Sequence, residues 1–559
     1  MKDYLKQYKL WCEKVTDEQL LVELKSMTDS EIEEAFSGEL SFGTAGLRGV
    51  MSAGSARMNV YTVYRATVGL ARYMIAHGMS RCAITYDSRN NSRLFSEIAA
   101  ATLASHNVKV YLTRECMPTP YLSYLVRQLH CDTGVNVTAS HNPAEYNGYK
   151  VYDRDGCQLL DDDAKEVTRF IEGVQLFEQP LPKFADYENN LIEYTSAELE
   201  SKYVERVLQE RLTSEPIDNL KVVYSPLNGA GYRVVPEILK RAGLTDIEIV
   251  KQQSTPNGDF PTCPYPNPEL PKTLTLAREL AAKVGADIVI ANDPDCDRLG
   301  VAVHNGKEFQ QLSGNEVGVL LTDYILCRLY RGANAINTTR PQAKPVLVKT
   351  IVTTIMVDAI ASDFGAEVKD VLTGFKYIGN VIANLESQGQ TDRYLFGFEE
   401  SCGYLKGSYV RDKDGAIAAL LIAECAAYHK RNNCSLTDRL RQLYDKYGYF
   451  YQNTVSYRFE GLVGEHTKNK LLADMRKQPL TKLGDSIVND TCDFLTQTQM
   501  DLPKADVLRY RSENGSQLIV RPSGTEPLIK CYITVQGNEQ DLHARYAAIK
   551  AQTDKLFGK

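Results

Sequence analysis

The 559-residue chain has no run of 18 uninterrupted apolar residues, so no segment is expected to span a bilayer. Its opening stretch, MKDYLKQYKLWCEK, is charged throughout and lacks the apolar core of a secretory signal, which makes the cytoplasm the expected compartment. Among the 13 cysteines no C-x-x-C pair occurs, and their number is odd. A disulfide framework and a cysteine-rich zinc site are both disfavoured, and the thiols are expected to be reduced, buried fillers. An excess of positive charge is also missing. The formal net charge of -7 argues against nucleic-acid binding, which needs basic patches to displace counterions, so any phosphate site must be local. No G-x-S-x-G nucleophile elbow is present, and no long low-complexity tract interrupts an ordinary globular composition. The length exceeds what one hydrophobic core supports, so several domains are expected.

What is present is an alternation. Residues 1–40 carry Leu20, Leu21, Leu24 and Ile32 at helical intervals and predict a charged amphipathic N-terminal helical extension. From Met58 to Met74 the spacing predicts a helix, followed by the strand CAITYD, the helix SRLFSEIAAATLASHN and the strand VKVYL. The pattern returns with KVVYS, a glycine-rich turn, a helix around Val234–Arg241, IEIV, a helix near Leu270–Val284 and ADIVIAND. After about 313 it returns again, with a helix through Leu320–Leu329, PVLVKT, the helix Thr354–Ser362, AEVKDV, a helix near Tyr377–Leu385 and RYLFGFEES. Such alternation predicts βαβ units on parallel or mixed sheets. Near the end, DVLRYRS, SQLIVRPSG and LIKCYITVQ read as consecutive strands before a final helix. The expected organisation is an extension (1–40), three α/β domains (41–205, 206–313, 314–445) and a smaller C-terminal α+β domain (446–559). STPNGDFPTCPYPNPELP, 254–271, predicts an ordered surface loop.

Five strings are candidates for chemistry. ANDPDCDRLG sets Asp293, Asp295 and Asp297 at alternate positions between two apolar strands, with Arg298 behind them. Three carboxylates so crowded repel by about 4 kcal/mol per pair at 4 Å, which a bound Mg²⁺, Ca²⁺ or Mn²⁺ would relieve; a solvated acidic turn is the alternative. An EF-hand is excluded, because its sixth and twelfth positions hold Arg298 and His304. Arg298 suits a phosphate on that metal, or else a local salt bridge. RPSGTEP, 521–527, could cradle an anion with hydroxyls and backbone amides beside Arg521, or be an ordinary turn. FGFEESCGY places Glu399, Glu400 and Ser401 after a strand, where they could bind sugar hydroxyls or simply end it. FGTAGLRG brings Arg48 to a turn that either faces phosphate or joins domains. In TASHNPAEYNGYK, Ser140 is either a nucleophile or a turn residue; adjacent His141 is a poor base for it, since consecutive side chains usually point apart.

Taken together and in order, TASHNP, D-x-D-x-D-R, the EES loop and R-x-S-G-T resemble the α-D-phosphohexomutases, particularly their phosphoglucomutase and phosphopentomutase branch, from Phe42 to the end. The resemblance implies three similar mixed α/β sheet domains and a smaller C-terminal α+β domain around one central cleft. It implies an isomerase that interconverts glucose 1-phosphate and glucose 6-phosphate through a phosphoserine at Ser140 and a bisphosphate intermediate. Pentose and mannose phosphates are the alternative substrates, and a metal-dependent sugar phosphatase is the competing class. One Mg²⁺ is implied on Asp293, Asp295, Asp297 and the Ser140 phosphate, with glucose 1,6-bisphosphate as activator and intermediate. Arg48 and His141 are implied at the phosphoserine, Lys150 as general acid/base, and Arg298 beside the phosphate. Glu399 and Ser401 are implied as the sugar loop, Lys376 and Lys413 as substrate-cleft residues, and Arg521, Ser523, Gly524 and Thr525 as the phosphate clamp. The partners implied are small sugar phosphates, not nucleic acid or membrane, acting on a monomer or dimer. The loop reads DPDCDR where DGDGDR or DADADR is common in the family, but all three acids remain.

Overall fold

A computed structural model describes residues 3–43, 46–331, 343–459, 461–497, 502–523 and 527–558. Arg81–Tyr86 lies parallel to Lys109–Leu112 and to Thr133–Val137, and Ile192–Tyr194 extends the parallel set. Tyr146–Tyr152 then returns antiparallel beside Thr133–Val137 and pairs on its other side with Leu47–Val50, completing six strands. The second sheet has five strands in the order 309–312, 299–304, 288–292, 221–225 and 246–249. The third has four, in the order 367–371, 346–350, 394–399 and 403–406. Both combine parallel strands with an antiparallel hairpin. Helices cover these mixed sheets, as the alternation predicts.

The C-terminal unit differs in kind. Its six-stranded sheet, 449–458, 528–537, 517–522, 508–512, 486–493 and 482–483, is antiparallel throughout, and Glu539–Phe557 packs along it. It has its own core around Tyr510, Leu518, Ile529 and Ile533. A small apolar cluster, Ile351, Val352 and Leu372 against Phe494, Ile519 and Tyr532, joins it to the third sheet. The second and third units are bound more tightly. Helix Gly415–Arg431 is buried over nearly its whole length and packs on Gly231–Arg241, so one continuous core serves both.

Two expectations about the chain's organisation are corrected. The helical extension expected over residues 1–40 is divided into three helices, Asp3–Lys14, Glu18–Ser26 and Asp29–Phe36. Asp17 caps the second by accepting from the Leu20 N–H, and Thr28 with Glu31 forms a capping box on the third; these local bonds start new helices where periodicity alone would continue one. The segment is also no appendage, because Trp11, Leu24, Ile32 and Phe36 lie in the core of the first domain. The expected boundary at 205/206 falls inside helix Ala197–Leu208, which packs on Gly231–Arg241, and that at 445/446 inside helix Leu436–Tyr447. No helix among the described residues is long and apolar enough to cross a membrane.

Trp11 is fully buried and meets Phe36, Tyr61 and Phe177 edge-on at 5.5–5.7 Å. Trp11→Ala is therefore expected to destabilise the first domain by about 3–5 kcal/mol. Urea unfolding followed by circular dichroism, with limited proteolysis to locate the weakened unit, measures this. A change below about 1 kcal/mol would show that the three helices do not belong to that core.

Candidate active site

The four candidate loops share one structural position, the connection of an antiparallel hairpin. TASHNP leaves Thr133–Val137 and returns in Tyr146–Tyr152, the aspartate loop joins Ile288–Asn292 to Leu299–His304, and the EES loop joins Tyr394–Glu399 to Gly403–Lys406. RPSGTEP joins Gln517–Pro522 to Leu528–Gly537. In the three α/β domains each loop carries one side-chain-bearing residue in the left-handed region: Ser140 (φ 53°), Cys296 (φ 52°) and Cys402 (φ 66°). Such a conformation costs about 1–2 kcal/mol and persists where surrounding contacts over-determine it.

Those contacts are explicit at Ser140. Its N–H donates to Thr138 Oγ1 (2.7 Å), and Thr138 Oγ1 in turn donates to buried Asp87 (2.5 Å). Its carbonyl accepts from both Nε (3.2 Å) and Nη2 (2.5 Å) of Arg89. The same buried guanidinium also donates to the carbonyls of Asn142, Pro143 and Tyr146, so it ties the whole loop together. The Ser140 hydroxyl, held from behind in this way, donates to Asp293 Oδ2 at 2.9 Å. His141 Nδ1 is 3.2 Å from the same hydroxyl. This corrects the expectation that the two side chains point apart, which holds for extended backbone and fails at a left-handed residue. Burial, then Arg298 and Arg48, hold the imidazole well below its usual range, so it is neutral there. Arg48 enters from the edge strand Leu47–Val50, and its Nη1 donates to Asn142 Oδ1 at 3.3 Å.

Asp293, Asp295 and Asp297 are all buried, and one oxygen from each lies within 4.8 Å of the others. Asp293 Oδ1 accepts the N–H groups of Asp297 (3.1 Å) and Arg298 (2.9 Å), which fixes the loop's turn. Asp295 Oδ2 accepts from Thr119 Oγ1 (2.9 Å) and Lys150 Nζ (3.1 Å). Asp295 Oδ1 and both Asp297 oxygens are buried without an aligned hydrogen bond, although Lys413 Nζ lies 2.8 Å from Asp297 Oδ2 as an ion pair. Orphaned carboxylate oxygens converging in one place fit a hard divalent cation with oxygen ligands. The three do not titrate alike. Burial, then Asp295, pushes Asp293 well up and Asp297 up. Burial pushes Asp295 up as well, but Lys150 and Lys413 with its hydrogen bonds outweigh this and hold it below the carboxylate range.

Lys150 thus sits among carboxylates, 3.1 Å from Asp295 and 3.8 Å from Asp297. Lys413 contacts Asp297 and Asp412, and Asp297 foremost holds its ammonium above the usual lysine range against the effect of burial. Arg298 pairs with Glu269. In the third domain Glu399 is buried and its Oε1 accepts the Gly374 N–H (2.9 Å). Burial, then Glu399, pushes neighbouring Glu400 up to about 7 while Thr350 and Thr353 both donate to it. Ser401 is half-buried at the loop's tip. Lys376 is drawn to the first domain, 2.5 Å from Asp161, whose other oxygen accepts from Tyr377. Arg521 Nη1 donates to the Tyr532 hydroxyl at 3.4 Å, and the Ser523 N–H donates to the Leu528 carbonyl. Gly524 and Thr525 lie outside the described residues.

The loops of the three α/β domains meet because those domains are stitched at the aspartate turn. The Thr119 N–H from the first domain donates to the Asp295 carbonyl (2.8 Å). From the third, Gly415 N–H donates to the Cys296 carbonyl (3.1 Å), while Leu299 N–H donates to that of Cys402 (3.0 Å). A Cβ on Gly415 would lie 2.5 Å from Asn292 Nδ2 and 2.6 Å from the Cys296 carbonyl oxygen, so this seam requires glycine. Sequence reasoning passed over Arg89 and Asp87, although YDSRNN puts a charged pair directly after a buried strand. Thr119 and Asp161 carry no local signal, since their partners are 176 and 215 positions away.

Known proteins share this succession of domains. Family models for phosphoglucomutase/phosphomannomutase α/β/α domains I, II and III match residues 39–176, 201–306 and 313–447, and the C-terminal domain model matches 470–551. The chain is 33% identical over 545 residues to a phosphoglucomutase of Staphylococcus saprophyticus, covering 94% of this chain and 96% of that protein. It is 34% identical over 550 residues to one of Staphylococcus epidermidis, covering 95% and 97%. Paramecium parafusin, a phosphoglucomutase solved in an open form, has the same fold with a TM-score of 0.69 at 18% identity, over 94% of this chain and 97% of that one. A phosphoglucomutase/phosphomannomutase family protein of Burkholderia thailandensis has it with a TM-score of 0.68 at 18% identity, over 93% and 98%. Four consecutive domains matched in order, each offering its loop from a hairpin, place the chain in the phosphoglucomutase/phosphomannomutase family of the α-D-phosphohexomutase superfamily.

Proposed function

We propose that this protein interconverts glucose 1-phosphate and glucose 6-phosphate, using Ser140 as the phosphoryl carrier and glucose 1,6-bisphosphate as the intermediate. The observation that carries the reading is the buried Ser140 hydroxyl held 2.9 Å from Asp293, a member of the buried aspartate triad. Relatives named phosphoglucomutase, 33–34% identical over about 95% of the chain, support glucose as the sugar.

A magnesium ion on Asp293, Asp295, Asp297 and phospho-Ser140 would supply charge neutralisation at the transferring group. The chain's own residues do the remainder. Arg89 and Thr138 fix the Ser140 backbone, so the carrier oxygen needs no reorganisation as transfer begins. Arg48 and Arg298 bring positive charge to phosphate oxygens, and neutral His141 lines the carrier. As the sugar hydroxyl attacks, a P–O bond to the sugar forms and that to Ser140 breaks. The hydroxyl's proton passes to Lys150, the proposed general acid/base, and the serine oxygen is left to be rephosphorylated. Glu399 and Ser401 hold sugar hydroxyls, with Lys376 and Lys413 in the cleft. Arg521, Ser523, Gly524 and Thr525 clamp the phosphate that is not reacting. After the bisphosphate turns round, its other phosphate returns to Ser140 and the isomer leaves.

The test supplies glucose 1-phosphate with Mg²⁺ and catalytic glucose 1,6-bisphosphate, and follows glucose 6-phosphate alongside free phosphate. Isomer without stoichiometric phosphate release is expected. Stoichiometric release would overturn the mutase in favour of a phosphatase, and a decisive kcat/KM preference for mannose 1-phosphate or ribose 1-phosphate would overturn the sugar.

A further inference from the structure

The proline- and asparagine-rich stretch 254–271 takes no part in the chemistry above, yet it touches the site from two sides. It is ordered, as its composition predicts. Gln253 accepts from Ser225 and donates to Thr262, Asn228 Nδ2 donates to the Thr255 carbonyl, and Gln311 Nε2 donates to the Pro268 carbonyl. One arm rests on the carrier loop's support. The Arg89 guanidinium lies 5.0 Å from the Phe260 ring centroid, Asn90 donates to Asp259 at 2.6 Å, and a Cβ on Gly258 would come within 2.2 Å of the Asn90 nitrogen. The other arm ends at Glu269, whose N–H is fixed on Asn267 Oδ1 (3.0 Å) and whose carboxylate pairs with Arg298 Nη1.

Arg298 stands between two groups of anions. Glu269 holds it from outside, while its Nε, buried and without a hydrogen bond, lies 4.0 Å from both Asp293 Oδ2 and Asp297 Oδ1 on the inside. Coulomb attraction falls with distance, so the closer Glu269 contact sets the guanidinium's position. Without that charge the nearest anions would be the aspartates, and the arginine would pair with the same oxygens a cation needs. We infer that Glu269 is a positioning residue: by holding Arg298 outward it keeps the aspartate triad open to a divalent cation. This rests on the metal reading above.

Titration calorimetry of the full-length chain with Mg²⁺ tests it without reference to turnover. Glu269→Gln, which keeps shape and removes charge, is expected to weaken Mg²⁺ binding about tenfold, the scale on which groups behind a metal's ligands act. Removing the competitor as well, in the double variant Glu269→Gln with Arg298→Met, is expected to restore the parent affinity. Gly258→Ala disturbs the other arm while leaving Glu269 in place, and is expected to bind Mg²⁺ as the parent does. Parent-like binding by Glu269→Gln would overturn the inference. So would a double variant as weak as the single, or an equal loss in Gly258→Ala, either of which would make the loop's order and not its charge the cause. A parent chain that binds no Mg²⁺ would instead overturn the metal reading on which the inference stands.

Discussion

Ser140→Ala is expected to lower kcat at least about 10⁵-fold, or about 7 kcal/mol of barrier, and to abolish covalent phosphate in the intact-mass spectrum. The loss should be chemical and not structural. What holds residue 140 in the left-handed region is backbone contact: its N–H on Thr138, and its carbonyl under the Arg89 fork. Alanine keeps both, and the left-handed conformation costs it about what it costs serine. The side chain gives up only the hydroxyl contacts with Asp293 and His141. Unfolding should therefore shift by no more than about 1–2 kcal/mol while turnover disappears. If more than about 1% of the parent kcat survived with the loop intact, another group would have to carry the phosphoryl.

How much of this was legible in the sequence depends on whether the signal was local. Strands such as CAITYD and ADIVIAND announce themselves by β-branched composition and lie where expected, at Arg81–Tyr86 and Ile288–Asn292. Helix Gly415–Arg431 left no amphipathic period to read, because it is buried on nearly every side. Strand Thr133–Val137 is short and contains Gly134 and Asn136, and Tyr449–Arg458 is largely polar, so neither has a hydrophobic alternation of its own. They exist because neighbouring strands pair with them.

The candidate site divides along the same line. Ser140 and the three aspartates could be picked out because each loop is a compact string, and the hydrogen bond of 2.9 Å between Ser140 and Asp293 then joins strings 153 positions apart. Which cation faces which acid could not be read. Lys413 reaches Asp297 at 2.8 Å because Gly415 lets the third domain's turn approach the second's backbone. Lys376 turns to Asp161 because the first and third domains meet there. His141 was misjudged for a different reason: the direction of its side chain depends on a single dihedral at Ser140, to which composition and spacing are blind.

Asp293→Asn is expected to lower kcat/KM by about 10³-fold, or about 4 kcal/mol, without destabilising the metal-free protein. The amide is nearly isosteric. Its oxygen can still accept the N–H groups of Asp297 and Arg298 that Asp293 Oδ1 accepts at 3.1 and 2.9 Å, so the turn survives. Its NH₂ can donate to Ser140 Oγ, which changes from donor to acceptor. The carboxyl it replaces is pushed well above its ordinary range by burial and by Asp295, so its charge adds no stability to the folded chain when no cation is present. The metal-free variant should accordingly melt at or slightly above the parent temperature. Mg²⁺ separates the two proteins. In the parent, a cation at 100 times its dissociation constant would add about 2.7 kcal/mol and raise the melting temperature, and the variant should lose most of that rise. Calorimetric scans with and without Mg²⁺, beside steady-state kinetics, measure both effects. A variant that kept the full Mg²⁺ shift and lost less than about tenfold in kcat/KM would remove Asp293 from the cation's cradle and leave its 2.9 Å contact with Ser140 a matter of loop structure alone.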